Sequence, residues 1–274
     1  MITFEQSTIL IAILYSIATL CGITGIILRQ SWLRKFACIC TTGSFLLQTL
    51  DMSRGMHTML PGGLSWGVYL QLLAWFILLC SFFGAWRTKH STPIIFTTPL
   101  VLMLFLLSLR VFKMQVALPQ SLNGTFYTLH IGSLYLSIAL LALAFIVGII
   151  FLYVERKIKN KTPLTGFLKD LPALNMLDRL NFLTVLLGFP LFTIGIVSGF
   201  IWASNTWGKT IHGDPKEIVS LFIWGLFAWL FYIRIVQRRS GRKPALLSVW
   251  LFILSIFSIS IVNTFMKTYH SFIL

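Results

Sequence analysis

Charge is what this chain has least of. Of its 274 residues only 11% are Asp, Glu, Lys or Arg, seven of these are acidic, and 57% are hydrophobic. A water-soluble domain cannot hide that much apolar surface, so the composition excludes an ordinary globular protein and points to a polytopic membrane protein. Four cysteines are present, Cys21, Cys38, Cys40 and Cys80, all within or beside apolar segments and none in a CxxC or CxxCH arrangement. The missing motifs exclude a thiol oxidoreductase and a c-type cytochrome, and the isolated thiols read as small buried side chains. There is no HExxH, which argues against a zinc hydrolase. Neither an internal repeat nor a low-complexity tract occurs, and no connection is long enough for a soluble domain. The first apolar run lacks a basic lead, because Glu5 is the only charged side chain before it. Further apolar runs follow, so a removable signal peptide is not expected.

What the chain has in abundance is apolar segments of membrane-crossing length. A bilayer core about 30 Å thick takes about 20 residues of helix, and eight stretches qualify or nearly so. They are roughly residues 7–28, 36–53, 66–86, 94–112, 127–153, 180–203, 218–236 and 246–266. The second and fourth are the weakest. Thr41, Thr42 and Gly43 interrupt one, and the other starts after Pro93 and contains Pro99. The expected fold is therefore an all-α polytopic membrane helix bundle of about eight transmembrane helices, a single integral membrane domain over residues 1–274.

The formal charge of +15 suits an orientation signal better than a nucleic-acid surface, because the basic residues cluster between apolar runs. Alternate connections hold sixteen and six of the 22 Lys and Arg residues. The richer set includes Arg29, Arg87, the run from Arg156 to Lys161, and Arg234 to Lys243, and it should face the cytoplasm. The N-terminus and C-terminus then both lie outside, in a bacterial-type inner (cytoplasmic) membrane. The segment 154–179 becomes the long inner connection. Its part "KTPLTGFLKDLPALNMLDR" is too polar to span and is expected along the cytoplasmic interface.

Sorted by side, four of the five histidines fall on the outer face: His57, His130, His212 and His270. Only His90 lies inside. Taken singly, each outer His reads as a solvated or interfacial side chain. Four of them, from segments distant in sequence, favour a metal or a metallated cofactor at that face. Nearby carboxylates are few (Asp51, Asp214 and Glu217) and the outer face lacks cysteine. Two imidazoles from separate helices can instead hold a haem iron from both axial sides. Outer Trp66, Tyr69, Tyr127, Trp202 and Trp207 offer aromatic surface, although such residues also form the ordinary interfacial belt. Arg54, Lys113 and Lys209 offer cations for carboxylates. The stretch "DPKE" reads first as a helix start, with Asp214 as N-cap, Pro215 at the first helical position and Glu217 three residues after the cap. A helix N-terminus facing outward is also an anion site that suits a propionate.

The segment "LPALNMLDRLNFLTVLLGFPLFTIGIVSGFIWA", followed by "WG…GDPKE" and "LFIWGLFAWLFYIR", resembles the cytochrome c assembly family of CcsA and HemX type. "LPQSLNGTFYTLHIGSLYLSIALL" is similar to the family segment bearing an external His, here His130. "IVNTFMKTYHSF" is similar to the ending that carries a second, here His270. "HTMLPGGLSWGVYLQLLAW" resembles the segment with a membrane-associated His, here His57. The resemblance covers residues 50 to 274 in the family's order. It implies that b-type haem is held non-covalently, with its iron between His130 and His270. His57 would be a ligand on the side where haem comes in. Trp207 and the loop around Asp214 would lie against the ring or a propionate, in a Trp-rich outer loop (the WWD motif) at 202–217.

The resemblance also exposes departures. The family loop reads approximately Trp-Gly-x-Tyr-Trp-x-Trp-Asp-Pro-Lys-Glu, whereas this chain has "WGKTIHGDPKE". Thr210, Ile211 and Gly213 stand where the family has aromatics, and His212 either replaces a ligand or supplies a flat ring. Tyr232 stands where a further His is found in haem-channel members. The implied function is the presentation of haem at the outer face for attachment to apocytochrome c. The chain would be a possible subunit of a haem lyase rather than a synthase acting alone. A partner with a soluble outer domain, CcsB- or ResB-like, would complete it, and no catalytic residue is assigned. The alternative is a HemX-like regulator of haem synthesis whose inner segment contacts glutamyl-tRNA reductase. A small-molecule transporter is a third reading, without the mid-span charges it would need.

Overall fold

The computed structural model describes residues 4–59, 66–111, 125–161, 163, 169, 171–208, 213 and 215–265, with only the backbone at a few helix ends. Among the described residues there are eight helices and no strand. They are α1 (Phe4–Ile27), α2 (Ser31–Met59), α3 (Trp66–Thr88), α4 (Thr92–Arg110), α5 (Thr125–Lys159), α6 (Leu174–Trp207), α7 (Pro215–Ile235) and α8 (Arg242–Phe265). Each expected span finds its helix. Six of them, α1 and α3 to α7, are long and apolar enough to cross a membrane over their described parts. The chain is thus a multi-pass helical membrane protein. α4 is a stronger span than its prolines suggest. Pro93 sits in its first turn, where a missing N–H costs nothing, and only Pro99 interrupts the ladder.

Two helices outrun expectation. α5 has 35 residues and α6 has 34, each about 50 Å long at 1.5 Å per residue. Residues 154–159 and 174–179 therefore belong to helices, and the inner connection is shorter than its sequence suggests. The charged end of α5 supports its own last turns, with Lys159 Nζ 2.9 Å from Glu155 one turn back.

Packing sorts the chain into two compact units, one of residues 1–115 with 154–176, the other of residues 116–153 with 177–274. In the first, α2 explains its own low hydropathy. Thr41, Ser44 and Gln48 lie three and four residues apart on one stripe, each no more than 1% exposed. The Tyr15 hydroxyl of α1 donates to Gln48 Oε1 at 2.7 Å, and Gln48 Nε2 donates to the Gln71 carbonyl of α3 at 2.9 Å. Gln71 in turn reaches Ser108 of α4 at 3.3 Å, and Thr41 meets Thr98 of α4 at 3.2 Å. The polar stripe is the thread that ties four helices where water is absent.

In the second unit α5 is buried on every side from Ser137 to Ala144. α6 runs antiparallel to it along a seam with a seven-residue repeat. His130 Nδ1 meets the Gly195 carbonyl at 2.6 Å, Ser137 Oγ donates to the Gly188 carbonyl at 2.8 Å, and Asn181 Nδ2 donates to the Ala144 carbonyl at 3.0 Å. A polar side chain on one helix faces Gly or Ala on the other at each contact. Small residues let the backbones approach, and a heptad spacing keeps the same faces opposed.

The end of this seam nearer α8 carries a buried ionic cluster. Arg234 of α7, its side chain 2% exposed, donates to Asp178 Oδ1 at 2.9 Å and to Asn181 Oδ1 at 2.5 Å. Asn181 also donates to Ser248 of α8 at 2.9 Å, and Asp178 accepts from the Gly241 N–H at 2.9 Å. Counted by sequence as a loop cation, Arg234 is instead an interior clasp joining α6, α7 and the turn into α8.

The turns carry a second regularity. Arg29, Lys89, Lys161 and Arg238 have φ of 58°, 59°, 52° and 50°. They follow α1, α3, α5 and α7, the helices that run inward on the charge-derived orientation. After α6, by contrast, the left-handed position is taken by Gly208 at φ 70°. A Lys or Arg in that conformation costs about 1 kcal/mol relative to Gly. These positions keep the cation all the same, beside the negative end of a helix dipole.

Candidate functional site

Of the residues singled out by sequence, the structure describes His130 fully. It lies in the second turn of α5, half-buried, and its ring points into α6. A peptide carbonyl can only accept, so the 2.6 Å contact with Gly195 places the proton of the neutral ring on Nδ1. Nε2 then keeps its lone pair. This is the arrangement of a metal-ligating histidine, whose second nitrogen is tied to a backbone carbonyl or carboxylate. Ser133, one turn along, turns its hydroxyl back to the Leu129 carbonyl at 2.6 Å. It therefore does not compete for the imidazole.

α6 makes room for the ring. A Cβ at Gly199 would lie 2.5 Å from His130 Nδ1 and 2.6 Å from Cε1, and one at Gly195 would lie 2.6 Å from Leu134. "GIVSG" at 195–199 thus serves as a small-residue notch. One turn outward on both helices, Tyr127 and Trp202 pair with ring centroids 5.3 Å apart and planes inclined at 48°. Trp202 is 5% exposed, so here it packs rather than floats in an interfacial belt. Lys216, in the first turn of α7, is close enough for its charge to act on the His130 ring. Sequence reasoning assigned it no role, and only its place two residues after Asp214 could have flagged it.

Pro215 is the first helical residue, as the sequence predicts, while the expected N-cap, Asp214, lies outside the described residues. α7 begins at Pro215, and Glu217, 8% exposed, accepts from the Gly213 N–H at 3.1 Å. The protein's own carboxylate therefore stands at the helix N-terminus, the place an added anion would otherwise take. Asp214, His212 and His270 lie outside the described residues, as do Lys113, Lys209, Thr210 and Ile211. His57 is in the last turns of α2, Trp66 opens α3 and Trp207 closes α6, but their side chains are outside the description. Tyr69 is buried in α3 at 6% exposure. Tyr232 is 42% exposed and stacks on Trp229 at 5.7 Å. Among the described residues no group of three or more His, Cys, Asp or Glu forms a metal site.

Fold and site together define a polytopic helical membrane protein that offers one oriented imidazole at the end of a helix pair. A family model described as Cytochrome C assembly protein matches residues 65–270. The chain belongs to that family, and the match includes His130 and His270 but not His57. It is 31% identical over 210 residues to a cytochrome c biogenesis protein CcsA of Chlamydomonas reinhardtii, covering 74% of this chain and 58% of that one. It is also 31% identical over 172 residues to the CcsA of Pyropia yezoensis, covering 50% and 54%. With the CcsA of Guillardia theta it shares 27% over 223 residues, covering 74% and 73%. The chain thus spans somewhat over half the length of the first two relatives.

Proposed function

We propose that this chain serves cytochrome c assembly as a haem-handling membrane component. On this reading haem is held at the outer face between His130 and His270 and presented there to an apocytochrome c. The observation that carries the reading is the His130 contact with Gly195, which leaves the Nε2 lone pair as the atom able to ligate. Tyr127 and Trp202 supply flat apolar surface near it.

His130 and His270 would hold the iron of the bound group, which would supply vinyl groups able to accept thiols. The chain's own task is narrower. It fixes one imidazole in the ligating tautomer, holds the ring plane, and keeps that end of the helix pair packed. His270 is the second ligand in this reading. His57, Trp207 and Asp214 keep the supporting roles that the resemblance gives them, and His212 would stand beside haem as a ligand or a flat ring. With only part of the family's aromatic loop retained, the reaction needs a partner that carries a soluble outer domain. The three relatives are all named cytochrome c biogenesis protein CcsA, and nothing favours the alternative of a regulator acting on glutamyl-tRNA reductase.

The test is made in cells that need this protein for a c-type cytochrome. His130→Ala and His270→Ala should each lower covalently attached haem at least tenfold, read by haem staining of the denatured cytochrome. Unchanged attachment with both variants present at parent levels would overturn the proposal.

A further inference from the structure

The seam between α5 and α6 carries an inference about how the imidazole is held. We propose that Gly199 and the Gly195 carbonyl form a cradle that positions His130, Gly199 by leaving space for the ring and Gly195 by fixing its tautomer. This rests on the reading of His130 as a haem ligand and goes beyond it, because it gives two glycines of α6 a positioning role that the ligand reading does not.

Three observations support the cradle. Gly199 does not owe its place to backbone geometry. It lies within α6, its φ is not positive, and glycine inside a helix costs about 0.5–1 kcal/mol against alanine. What it provides is room, since even a methyl group there would stand 2.5 Å from Nδ1. An imidazole is rigid and rooted in a helix, so it cannot yield to that methyl while keeping a 2.6 Å bond to Gly195. The third observation is that the register is pinned elsewhere. Ser137 to Gly188 and Asn181 to Ala144 hold α5 against α6 at the two heptads below. The helices therefore cannot slide to relieve a clash at 199, and the ring must leave. Gly132, two residues from His130 on α5, has nothing within 4 Å of where a methyl group would stand. It serves as a control for the same substitution in open space.

The experiment titrates haem into the detergent-purified full chain and reads affinity and the oxidised and reduced spectra. His130→Ala must first lose haem. If it does not, the ligand reading itself fails and this inference goes with it. Given that loss, Gly199→Ala should weaken haem binding about 10–100-fold, the usual effect of disturbing a ligand's outer partner. It should also lose the six-coordinate low-spin spectrum, and added free imidazole should restore that spectrum. Gly132→Ala should match the parent. A parent-like Gly199→Ala would overturn the cradle alone, as would a loss that imidazole does not rescue, since that marks general damage to packing. Should Gly199→Ala fail to fold, His130 is replaced by Nδ1-methylhistidine, which keeps Nε2 but cannot donate to Gly195. The same rescuable loss is expected, and an unchanged affinity and midpoint potential would contradict the proposal.

Discussion

Two side chains in the second unit change meaning between sequence and structure. His130 is one of four outer histidines by its position, and in the sequence only the family resemblance gives it a role different from His57 or His212. Its tautomer was not legible at all, because it is set by a partner 65 residues away that no local pattern reveals. Arg234 moves the other way. Its neighbours Arg238, Arg239 and Arg242 make it look like one more positive-inside charge, yet it is almost wholly buried against Asp178 and Asn181. The clue was available in Asp178, an acid in a chain with only seven. Buried ions cost several kcal/mol to leave unpaired, whereas a carboxylate at 18% exposure can still reach water. Asp178→Ala should therefore destabilise by about 3–5 kcal/mol. Arg234→Met should cost distinctly less, because Asp178 keeps the Gly241 N–H. Thermal unfolding in detergent decides this, and equal losses would contradict the asymmetry.

At the scale of the helices, the sequence was a good guide to number and order and a poor one to extent and register. All eight helices were legible because a bilayer demands long apolar runs, and six of them are long and apolar enough to cross one over their described parts. The ends of α5 and α6 were not, since a helix can continue into water on propensity and ion pairs such as Lys159 with Glu155. The heptad of small and polar residues at 181, 188 and 195, matched by 130, 137 and 144, is visible in the sequence once the pairing is known. Periodicity alone does not say which helix faces it. The inner turns were half legible: their charge was read, but not their left-handed backbone. Arg29 ends α1 with the Gln30 N–H bonded back to the Gly25 carbonyl at 3.1 Å, a closure that normally favours Gly at this position. Arg29→Gly should stabilise the protein by about 1 kcal/mol and Arg29→Val should destabilise it. A chemical-denaturation series reads both signs, and destabilisation by Gly would contradict the backbone assignment.

For the whole molecule, composition fixed the membrane class and the family match fixes the kin. Neither identifies what sits at the outer end of the second unit. The aromatic loop that the resemblance implies would be thinned here at 210, 211 and 213, and Tyr232 is exposed and stacked on Trp229. The weight of the haem reading therefore rests on the helix pair, where His130 lies against the Gly195 carbonyl and over Gly199 in the arrangement proposed as a ligand site. The most direct test is the absorption spectrum of the detergent-purified protein, oxidised and reduced, beside His130→Ala and His270→Ala. The account predicts a low-spin haem spectrum with a sharp reduced band in the parent and its loss in both variants. A parent that takes up no haem when haem is supplied, or variants that keep the parent spectrum, would contradict it.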